Sequence, residues 1–366
     1  LPEASRFDQV EDTDWAFGSL GIQDKARYLA TLYLEDVGDL ILETVSPHFG
    51  FSRYAESLSL TATKFDKLHK ELQQPDSLLD TILLEKLENH LQAARPSFVG
   101  FTVPFPGNLY GALKCGQYIK KNYPCIKVMM GGGYPNTELR SLTDTRVFEY
   151  LDFITLDDGE GPVLRLLEYL QGKRQFPFLQ RTFVMNNGVV DFVNGCLDAN
   201  IPHTEVGTPD YEGLPLHKYL SVIDVLNPMH RLWSDGRWNK LTIAHGCYWK
   251  RCSFCDITLD YIRRYETAPA QLLCDRIEKI IAQTGQTGFH FVDEAAPPLA
   301  LRDLAIEILK RGISITWWAN IRFEKTFSAD LCRLLAAAGC IAVSGGVEVA
   351  SDRLLALMEK GVTIEQ

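Results

Sequence analysis

Three cysteines lie close together in the second half of the chain, in the segment HGCYWKRCSFCD, residues 245–256. They are Cys247, Cys252 and Cys255, with a C-x4-C-x2-C spacing, and they directly follow an apolar run that predicts a β-strand. A loop that leaves the end of a strand can bring three thiolates to one point. Because thiolates are soft ligands, the segment predicts a site for zinc or for an iron–sulfur cluster.

The number of ligands separates these two kinds of site. A structural zinc ion takes four closed ligands, and the loop provides three cysteines. His245 is the nearby candidate for a fourth ligand, because it lies two positions before Cys247 and strand alternation points both side chains the same way. Three cysteines on a four-iron cluster would instead leave one iron open to another ligand. The spacing alone leaves both interpretations open.

The other six cysteines lie in apolar or helical settings, where cysteine usually serves as a small core residue. They are Cys115, Cys125, Cys196, Cys274, Cys332 and Cys340. Nine cysteines spread over 366 residues do not form the pattern of a secreted disulfide framework. The first 25 residues are polar and acidic, unlike a signal peptide. We therefore predict reduced thiols and a cytoplasmic protein.

The amino-acid composition limits the classes of partner that we expect for the chain. With 37 Lys and Arg against 47 Asp and Glu, the formal net charge is −10, which disfavours bulk attraction to nucleic acid or to an anionic membrane surface. The sequence also contains no run of about 18 apolar residues, the minimum for a membrane-spanning helix. We expect neither nucleic acid nor a membrane among its partners.

Hydrophobic periodicity divides the chain into four parts and predicts the α/β fold class. Residues 1–95 have mostly helical patterns, residues 96–172 alternate short apolar strands with amphipathic helices, residues 173–238 are rich in turns and read as a linker, and residues 239–366 alternate again. Four successive βα units in the last part predict a partial barrel. The working residues of such a barrel lie at the carboxyl ends of its strands.

The cysteine loop, with Phe254 before its last cysteine and an apolar strand before its first, resembles that of the radical S-adenosylmethionine (SAM) superfamily. The usual spacing there is C-x3-C-x2-C. The longer form, with CYW and CSFC, resembles radical SAM proteins that also carry an N-terminal cobalamin-type domain. The resemblance implies a [4Fe-4S] cluster on the three cysteines and a barrel of six βα units, so that the four visible ones would be C-terminally incomplete.

Later strand ends match the positions where this family contacts SAM. The resemblance implies that Asp293 and Glu294 in FVDEAAP contact the SAM amino group. It implies that Asn320 and Arg322 in WWANIRF contact SAM or substrate. It implies ribose-side contacts by Glu348 and Ser351 in SGGVEVAS. The alternative for Arg322 and Glu348 is a buried ion pair across the barrel mouth, because ionisable residues at strand ends are rarely without a partner.

Glycine-rich turns follow two predicted strands in residues 96–172, in CIKVMMGGG and DDGEG. On their own such turns are weak signals of binding. Beside the cysteine loop they resemble the cobalamin-binding domain of many radical SAM enzymes, which implies a Rossmann-like parallel sheet with corrinoid contacts at Gly131, Gly132, Gly133, Gly159, Glu160 and Gly161. The D-x-H-x-x-G motif does not occur in this sequence. No histidine ligand to cobalt is therefore predicted.

The resemblance implies an enzyme that cleaves SAM reductively to a 5′-deoxyadenosyl radical and, with cobalamin, transfers a methyl group to an unactivated carbon. Its implied partners are a small-molecule or peptide substrate and an electron donor such as flavodoxin or ferredoxin. Two alternatives stay open. One is radical SAM oxidation, rearrangement or sulfur insertion without bound cobalamin, and the other is a binding module stabilised by zinc on the three cysteines and His245.

Overall fold

The computed structural model describes residues 22–51, 65–219 and 238–366, which form two compact units. One consists mainly of Leu29–Asn200 and the other mainly of Ile201–Gln366. Three helices of the described residues precede the first sheet in the sequence: α1 (Ile22–Thr44), α2 (Asp66–Leu72) and α3 (Leu78–Ala94). They lie in the predicted helical region 1–95, whose residues 1–21 and 52–64 are outside the described residues. None of the described helices has both the length and the apolar character needed to cross a membrane.

The first unit contains a five-stranded sheet in the order β1-β2-β3-β4-β5. The first three strands are parallel, and they are β1 (Phe98–Thr102), β2 (Lys127–Gly131) and β3 (Phe153–Thr155). Helix α4 (Leu109–Asn122) joins β1 to β2, while α5 (Gly133–Glu138) follows β2 and α6 (Glu160–Leu170) follows β3. Both glycine turns therefore lie at the carboxyl edge of the parallel strands, where ligands bind in open α/β sheets.

The apolar residues of β2 and β3 are buried. Val128 and Met130 of β2 and Ile154 of β3 belong to one core, together with Leu113 and Ile119 of α4. Parallel strands are covered on both faces, so their sequences are nearly continuous apolar runs. This pattern is what made the strands visible in the sequence.

The other two strands of this sheet lie in residues 173–238, which the sequence predicts as a linker. They are β4 (Thr182–Asn186) and β5 (Val189–Val193), an antiparallel hairpin that extends the sheet beyond β3. The turn residues Asn187 and Gly188 both have positive φ, 49° and 80°, as a tight hairpin turn requires. The Asn and Gly residues that suggested a linker are thus the turn of a hairpin. Residues 220–237 lie outside the described part of the chain.

The second unit contains a four-stranded parallel sheet in the order β11-β10-β9-β6. Its strands are β6 (Trp238–Leu241), β9 (Gly288–Phe291), β10 (Thr316–Asn320) and β11 (Cys340–Ser344). They are followed in turn by α8 (Ala270–Thr284), α9 (Pro298–Arg311), α10 (Ala329–Ala337) and α11 (Asp352–Leu357). Two short strands, β7 (Ala244–His245) and β8 (Glu266–Thr267), and a short helix, α7 (Asp260–Arg263), lie between β6 and α8. Within the described residues these strands form an open sheet, with β6 and β11 at its edges, and not a closed barrel.

The two faces of the second sheet carry different side chains. Phe289, Phe291 and Trp317 face the helices and are fully buried in the core of the unit. Alternation places the neighbouring Trp318 on the opposite face, where its indole stacks on the His290 ring with centroids 3.5 Å apart. Trp317 therefore fills the core of the second unit.

We expect Trp317→Ala to lower the free energy of unfolding of the second unit by about 3–5 kcal/mol, because it empties a fully buried site between the sheet and its helices. Urea denaturation followed by circular dichroism measures this change. Leu309→Ala on α9, where the side chain is 47% exposed, is the matched control and should cost far less. A loss below about 1 kcal/mol for Trp317→Ala would contradict the assigned core.

Candidate functional site

The cysteine loop runs between two short paired strands at the end of β6. β7 pairs antiparallel with β8, which places His245 opposite Glu266 and holds the two ends of the loop together. Gly246 begins the loop with a φ of 72°, and a Cβ at this position would overlap the carbonyl of Arg264. Glycine is therefore required here both for its conformation and for space. Sequence reasoning did not single out Gly246, since the close approach of Arg264 is a tertiary contact.

The three cysteine thiols are neighbours on this loop. Cys247 and Cys252 are half-buried and Cys255 is exposed. Burial raises the pKa of the Cys255 thiol, and the nearby Cys252 and Cys247 and the Glu294 carboxylate raise it further. Among the described residues, no three His, Cys, Asp or Glu side chains are close enough together to hold a single metal ion as they stand. Metal binding requires the thiols to be deprotonated. The positive charge of a bound metal would then stabilise the three negatively charged thiolates.

His245, the candidate fourth ligand for zinc, is held by the far side of the loop. Its Nδ1 lies 2.8 Å from the carbonyl oxygen of Arg264, so that Nδ1 carries the proton and donates it. This is the orientation that a backbone carbonyl commonly gives to ligating histidines. The ring of His203 lies near, with centroids 6.4 Å apart.

Asp293 joins the end of β9 to the segment that leads into the cysteine loop. Its carboxylate accepts hydrogen bonds from the backbone N–H of Ile243, at 3.0 and 3.1 Å to its two oxygens, and of Ala244, at 2.7 Å. The side chain is 2% exposed, and this burial raises its pKa to about 6 against the opposing effect of the N–H donors. Both oxygens therefore face the protein backbone.

Glu294 and Asn320 lie at neighbouring strand ends beside Asp293. The Glu294 side chain is exposed, and its charge acts on Cys255. Asn320 ends β10, and its side-chain amide donates to the carbonyl of Asp293 at 3.2 Å, while its own carbonyl accepts from the N–H of Ala296 at 2.8 Å. Asn320 thus braces the turn that follows β9, and Glu294 presents a carboxylate beside the cysteines.

Arg322, two residues beyond β10, is turned toward the cysteine loop. Its Nη1 lies 3.9 Å from Cys252 Sγ, its Nη2 donates to the carbonyl of Lys360, and its Nε lies 3.7 Å from a carboxylate oxygen of Glu324. The guanidinium also covers the indole of Trp249, 4.3 Å from the ring centroid. The structure therefore brings Arg322 and a cysteine thiol together.

Glu348 and Ser351 follow β11. The Glu348 carboxylate accepts a hydrogen bond from Lys360 Nζ at 2.7 Å, and its φ of 64° is in the left-handed region. Ser351 precedes the first turn of α11 without a side-chain capping bond. Because Arg322 pairs with Glu324 and Glu348 with Lys360, the predicted ion pair between Arg322 and Glu348 is wrong in its partners.

A segment that sequence reasoning missed, Met358–Gly361, lies along the cysteine loop. The carbonyl of Met358 accepts from the N–H of Ser253 at 2.9 Å, and the carbonyl of Glu359 accepts from Trp249 Nε1 at 2.8 Å. Gly361, with a φ of 73°, lies against the Trp249 ring so closely that a Cβ would overlap it. In the sequence, this segment shows only the glycine that commonly follows a helix.

In the first unit, four of the five predicted glycines lie against other parts of the protein. A Cβ on Gly131 would lie 2.9 Å from Thr155 Oγ1, and one on Gly132 would lie 2.8 Å from the carbonyl of Val103. Gly133 and Gly161 are similarly confined, by Pro104 and Gln180. Gly159 differs, since nothing lies within 4 Å of its Cβ position, and Glu160 beside it is exposed. Close packing accounts for four of these glycines without a ligand.

The raised pKa of Asp293 predicts how the free energy of unfolding depends on pH. The folded state holds the pKa near 6, above the ordinary 3.8, so folding favours the protonated form. The free energy of unfolding of the wild type relative to Asp293→Asn should therefore fall as pH rises from about 4 to about 6, by on the order of 3 kcal/mol, and stay constant above that range. Urea denaturation of both proteins across this pH range measures the difference.

The control for this experiment is Asp303→Asn, which removes a half-exposed carboxylate on α9 of the same unit. We expect its free energy of unfolding to follow that of the wild type at every pH. A difference between wild type and Asp293→Asn that does not change with pH would show that Asp293 is not held in a buried, desolvated position.

Comparison with known proteins finds distant relatives. No family model matches the chain. The chain is 23% identical over 295 residues to an uncharacterized methyltransferase of Pyrococcus horikoshii, an alignment that covers 80% of this chain and 60% of that protein. It is 24% identical over 300 residues to the anaerobic magnesium-protoporphyrin IX monomethyl ester cyclase of Rubrivivax gelatinosus, covering 80% of this chain and 51% of the cyclase. The chain thus spans between half and two thirds of the length of these relatives.

Two solved radical SAM enzymes are among the structures that share this fold. The cobalamin-dependent SAM radical enzyme OxsB, with aqua-cobalamin and SAM bound, matches 77% of this chain and 40% of its own, with a TM-score of 0.60 and 19% identity. The radical SAM methyltransferase TsrM of Kitasatospora setae, with cobalamin and a [4Fe-4S] cluster bound, matches 78% of this chain and 56% of its own, with a TM-score of 0.55 and 20% identity. The chain therefore has the mixed α/β fold of the cobalamin-dependent radical SAM enzymes, the group that its cysteine loop and glycine turns resemble in sequence.

Proposed function

We propose that this protein is a radical SAM enzyme whose Cys247, Cys252 and Cys255 hold a [4Fe-4S] cluster, and that it transfers a methyl group with the help of cobalamin to an unactivated carbon. The observation that carries the proposal is the cysteine loop, in which three neighbouring thiols are held at the end of β6 by β7, β8 and Asp293. In folds of this kind substrates reach the carboxyl ends of the strands.

The donor set fits a four-iron cluster better than a closed zinc site. Three thiolates satisfy three irons and leave the fourth open, whereas structural zinc needs a fourth protein ligand. When bound, such a cluster supplies the electron that cleaves SAM. The chain itself positions the cysteine loop. Gly246 allows the sharp entry into the loop. The carbonyls of Met358 and Glu359 hold Ser253 and Trp249 in place within it.

The contacts of the strand ends support different roles toward SAM. The exposed Glu294 carboxylate, beside Cys255, suits the positively charged amino group of SAM. Asp293 is better suited to holding the loop, because both its oxygens already accept backbone hydrogen bonds. We keep Asn320 as a contact to SAM or substrate, and Glu348 and Ser351 as ribose-side contacts, on the family resemblance.

The first unit supports a role for cobalamin through its exposed strand-end loop. Gly159 and Glu160 follow β3 at the carboxyl edge of the parallel strands, where no protein atom approaches the Cβ position of Gly159. OxsB and TsrM, which share the fold, bind cobalamin in their structures, and the Pyrococcus relative is named a methyltransferase. When bound, cobalamin would supply the methyl group.

The relative named a cyclase favours a second candidate, radical SAM oxidation or rearrangement without bound cobalamin. In both cases we expect a cytoplasmic enzyme that takes its electron from a donor such as flavodoxin or ferredoxin, and a small-molecule or peptide substrate. The visible spectrum of protein purified with added hydroxocobalamin separates the two candidates, since bound corrinoid favours methyl transfer.

Anaerobic reconstitution with iron and sulfide should give about four irons per chain and a broad charge-transfer absorbance. On adding dithionite and SAM, the reconstituted protein should release 5′-deoxyadenosine. Replacing Cys247, Cys252 or Cys255 with alanine should abolish the cluster, because each thiolate ligates a different iron. Iron and zinc analysis together with the absorbance spectrum makes the measurement.

Two controls make this test specific. Cys332→Ala removes an exposed cysteine outside the loop and should leave the iron content unchanged. His245→Ala distinguishes the zinc site, because it should release a Cys3His zinc ion but leave a cluster in place. Zinc without iron in the wild-type protein, lost in His245→Ala, would refute the cluster and support the zinc-stabilised module.

The glycines of the first unit give a test of cobalamin binding. Gly159→Leu should leave stability unchanged, since the residue has an ordinary φ of −74° and open space around it, but should lower the amount of hydroxocobalamin retained after gel filtration at least tenfold. Gly132→Ala, at a φ of 110°, should instead destabilise the unit. Undiminished corrinoid binding by Gly159→Leu would remove this loop from the cobalamin site.

A further inference from the structure

The guanidinium of Arg322 is a buried positive charge beside one of the cysteine thiols. The residue is 6% exposed, and Nη1 lies 3.9 Å from Cys252 Sγ, within hydrogen-bond distance of a sulfur acceptor. The position follows from the sheet, because Arg322 comes two residues after β10, at the same edge from which the cysteine loop leaves β6. A charge so placed is weakly screened by solvent.

Several contacts hold this guanidinium in one orientation. Nη2 donates to the carbonyl of Lys360, and Nε lies 3.7 Å from Glu324, whose carboxylate also accepts from Tyr248 Oη at 2.8 Å. On its flat side the guanidinium covers the Trp249 indole. Lysine could not reproduce this arrangement, because only the planar fork of arginine donates in several directions while stacking on a ring.

A second cation near the loop has different partners. Lys360 Nζ pairs with the Glu348 carboxylate at 2.7 Å and stands over the Phe254 ring, 5.4 Å from its centroid. Of these two cations, Arg322 is the one that directs an N–H at a thiol sulfur.

We propose that Arg322 sets the reduction potential of the cluster by donating to the Cys252 thiolate. This inference rests on the proposed function, in which Cys252 is a cluster ligand. Reduction adds one electron, and therefore negative charge, to the cluster. A buried cation and a hydrogen bond to a ligand sulfur stabilise the reduced form more than the oxidised form, and so raise the potential. Arg322 is thus a positioning and tuning residue in the loading of the electron used for SAM cleavage.

The test compares reconstituted wild-type protein, Arg322→Gln, Arg322→Lys and the control Arg311→Gln in dithionite titrations followed by electron paramagnetic resonance, without SAM. In Arg322→Gln, the ratio of reduced to oxidised cluster at a fixed potential should fall about tenfold, which for one electron is about 59 mV. Arg322→Lys retains the charge and should lie between this variant and the wild type. Arg311 bridges acidic residues of α8 and α9, away from the loop, and its substitution should not change the potential.

Each outcome bears on the inference. An unchanged or higher potential in Arg322→Gln overturns it while leaving the cluster itself in place. If Arg322→Gln does not take up iron, Arg322→Lys decides. A potential below that of the wild type supports the inference, whereas an unchanged potential, or a failure of both variants to hold iron, overturns it. Wild-type protein that holds no four-iron cluster refutes the proposed function, and this inference with it.

Discussion

The backbone of Ile243 and Ala244 leaves the parallel sheet just after β6, and its N–H groups would be buried without partners if the next strand did not supply an acceptor. Asp293, at the end of β9, supplies that acceptor with both oxygens of one carboxylate. Burying this charge is costly, which is why its pKa is raised to about 6. The hydrogen bonds offset the cost. They also fix the direction in which the chain enters β7, the pairing of β7 with β8, and thereby the position of the cysteine loop.

Electrostatics around that loop balance attraction against repulsion. Burial raises the pKa of the Cys255 thiol, and Cys252, Cys247 and Glu294 raise it further, so this thiol resists deprotonation in the metal-free loop. Arg322 lies beside Cys252 and Lys360 lies over the Phe254 ring, and each of these two cations has a carboxylate partner. Bound metal would remove the repulsion between thiolates. Under the proposed function, the two cations would act mainly on the negative charge that the cluster gains on reduction.

In the first unit, glycines in adjacent turns differ in how closely other protein atoms approach them. Gly131, Gly132 and Gly133 let the turn after β2 pass close to the loop after β1 and to Thr155 of β3. Their spacing looks like a binding loop, but their closest neighbours are protein atoms. Gly159 has the same sequence signal and open space around it. The cobalamin proposal therefore depends on the turn after β3 more than on the run of three glycines.

Several properties of the protein follow from local sequence patterns. The apolar runs of β2 and β9, the helices between strands and the soft ligands of the cysteine loop are encoded within short stretches of chain, so periodicity and ligand chemistry indicate the α/β class and a thiolate metal site. The hairpin β4–β5 was missed because turn residues look the same in a linker and in a tight turn. The partners of the site residues could not be predicted. Asp293 binds Ile243 across 50 positions, and Trp249 binds the carbonyl of Glu359 across 110. The sequence by itself determined which residues could do the chemistry. Only the tertiary structure decided which carboxylate faces the backbone and which arginine faces sulfur, because these contacts join strand ends that the chain keeps far apart and the sheet brings to one edge.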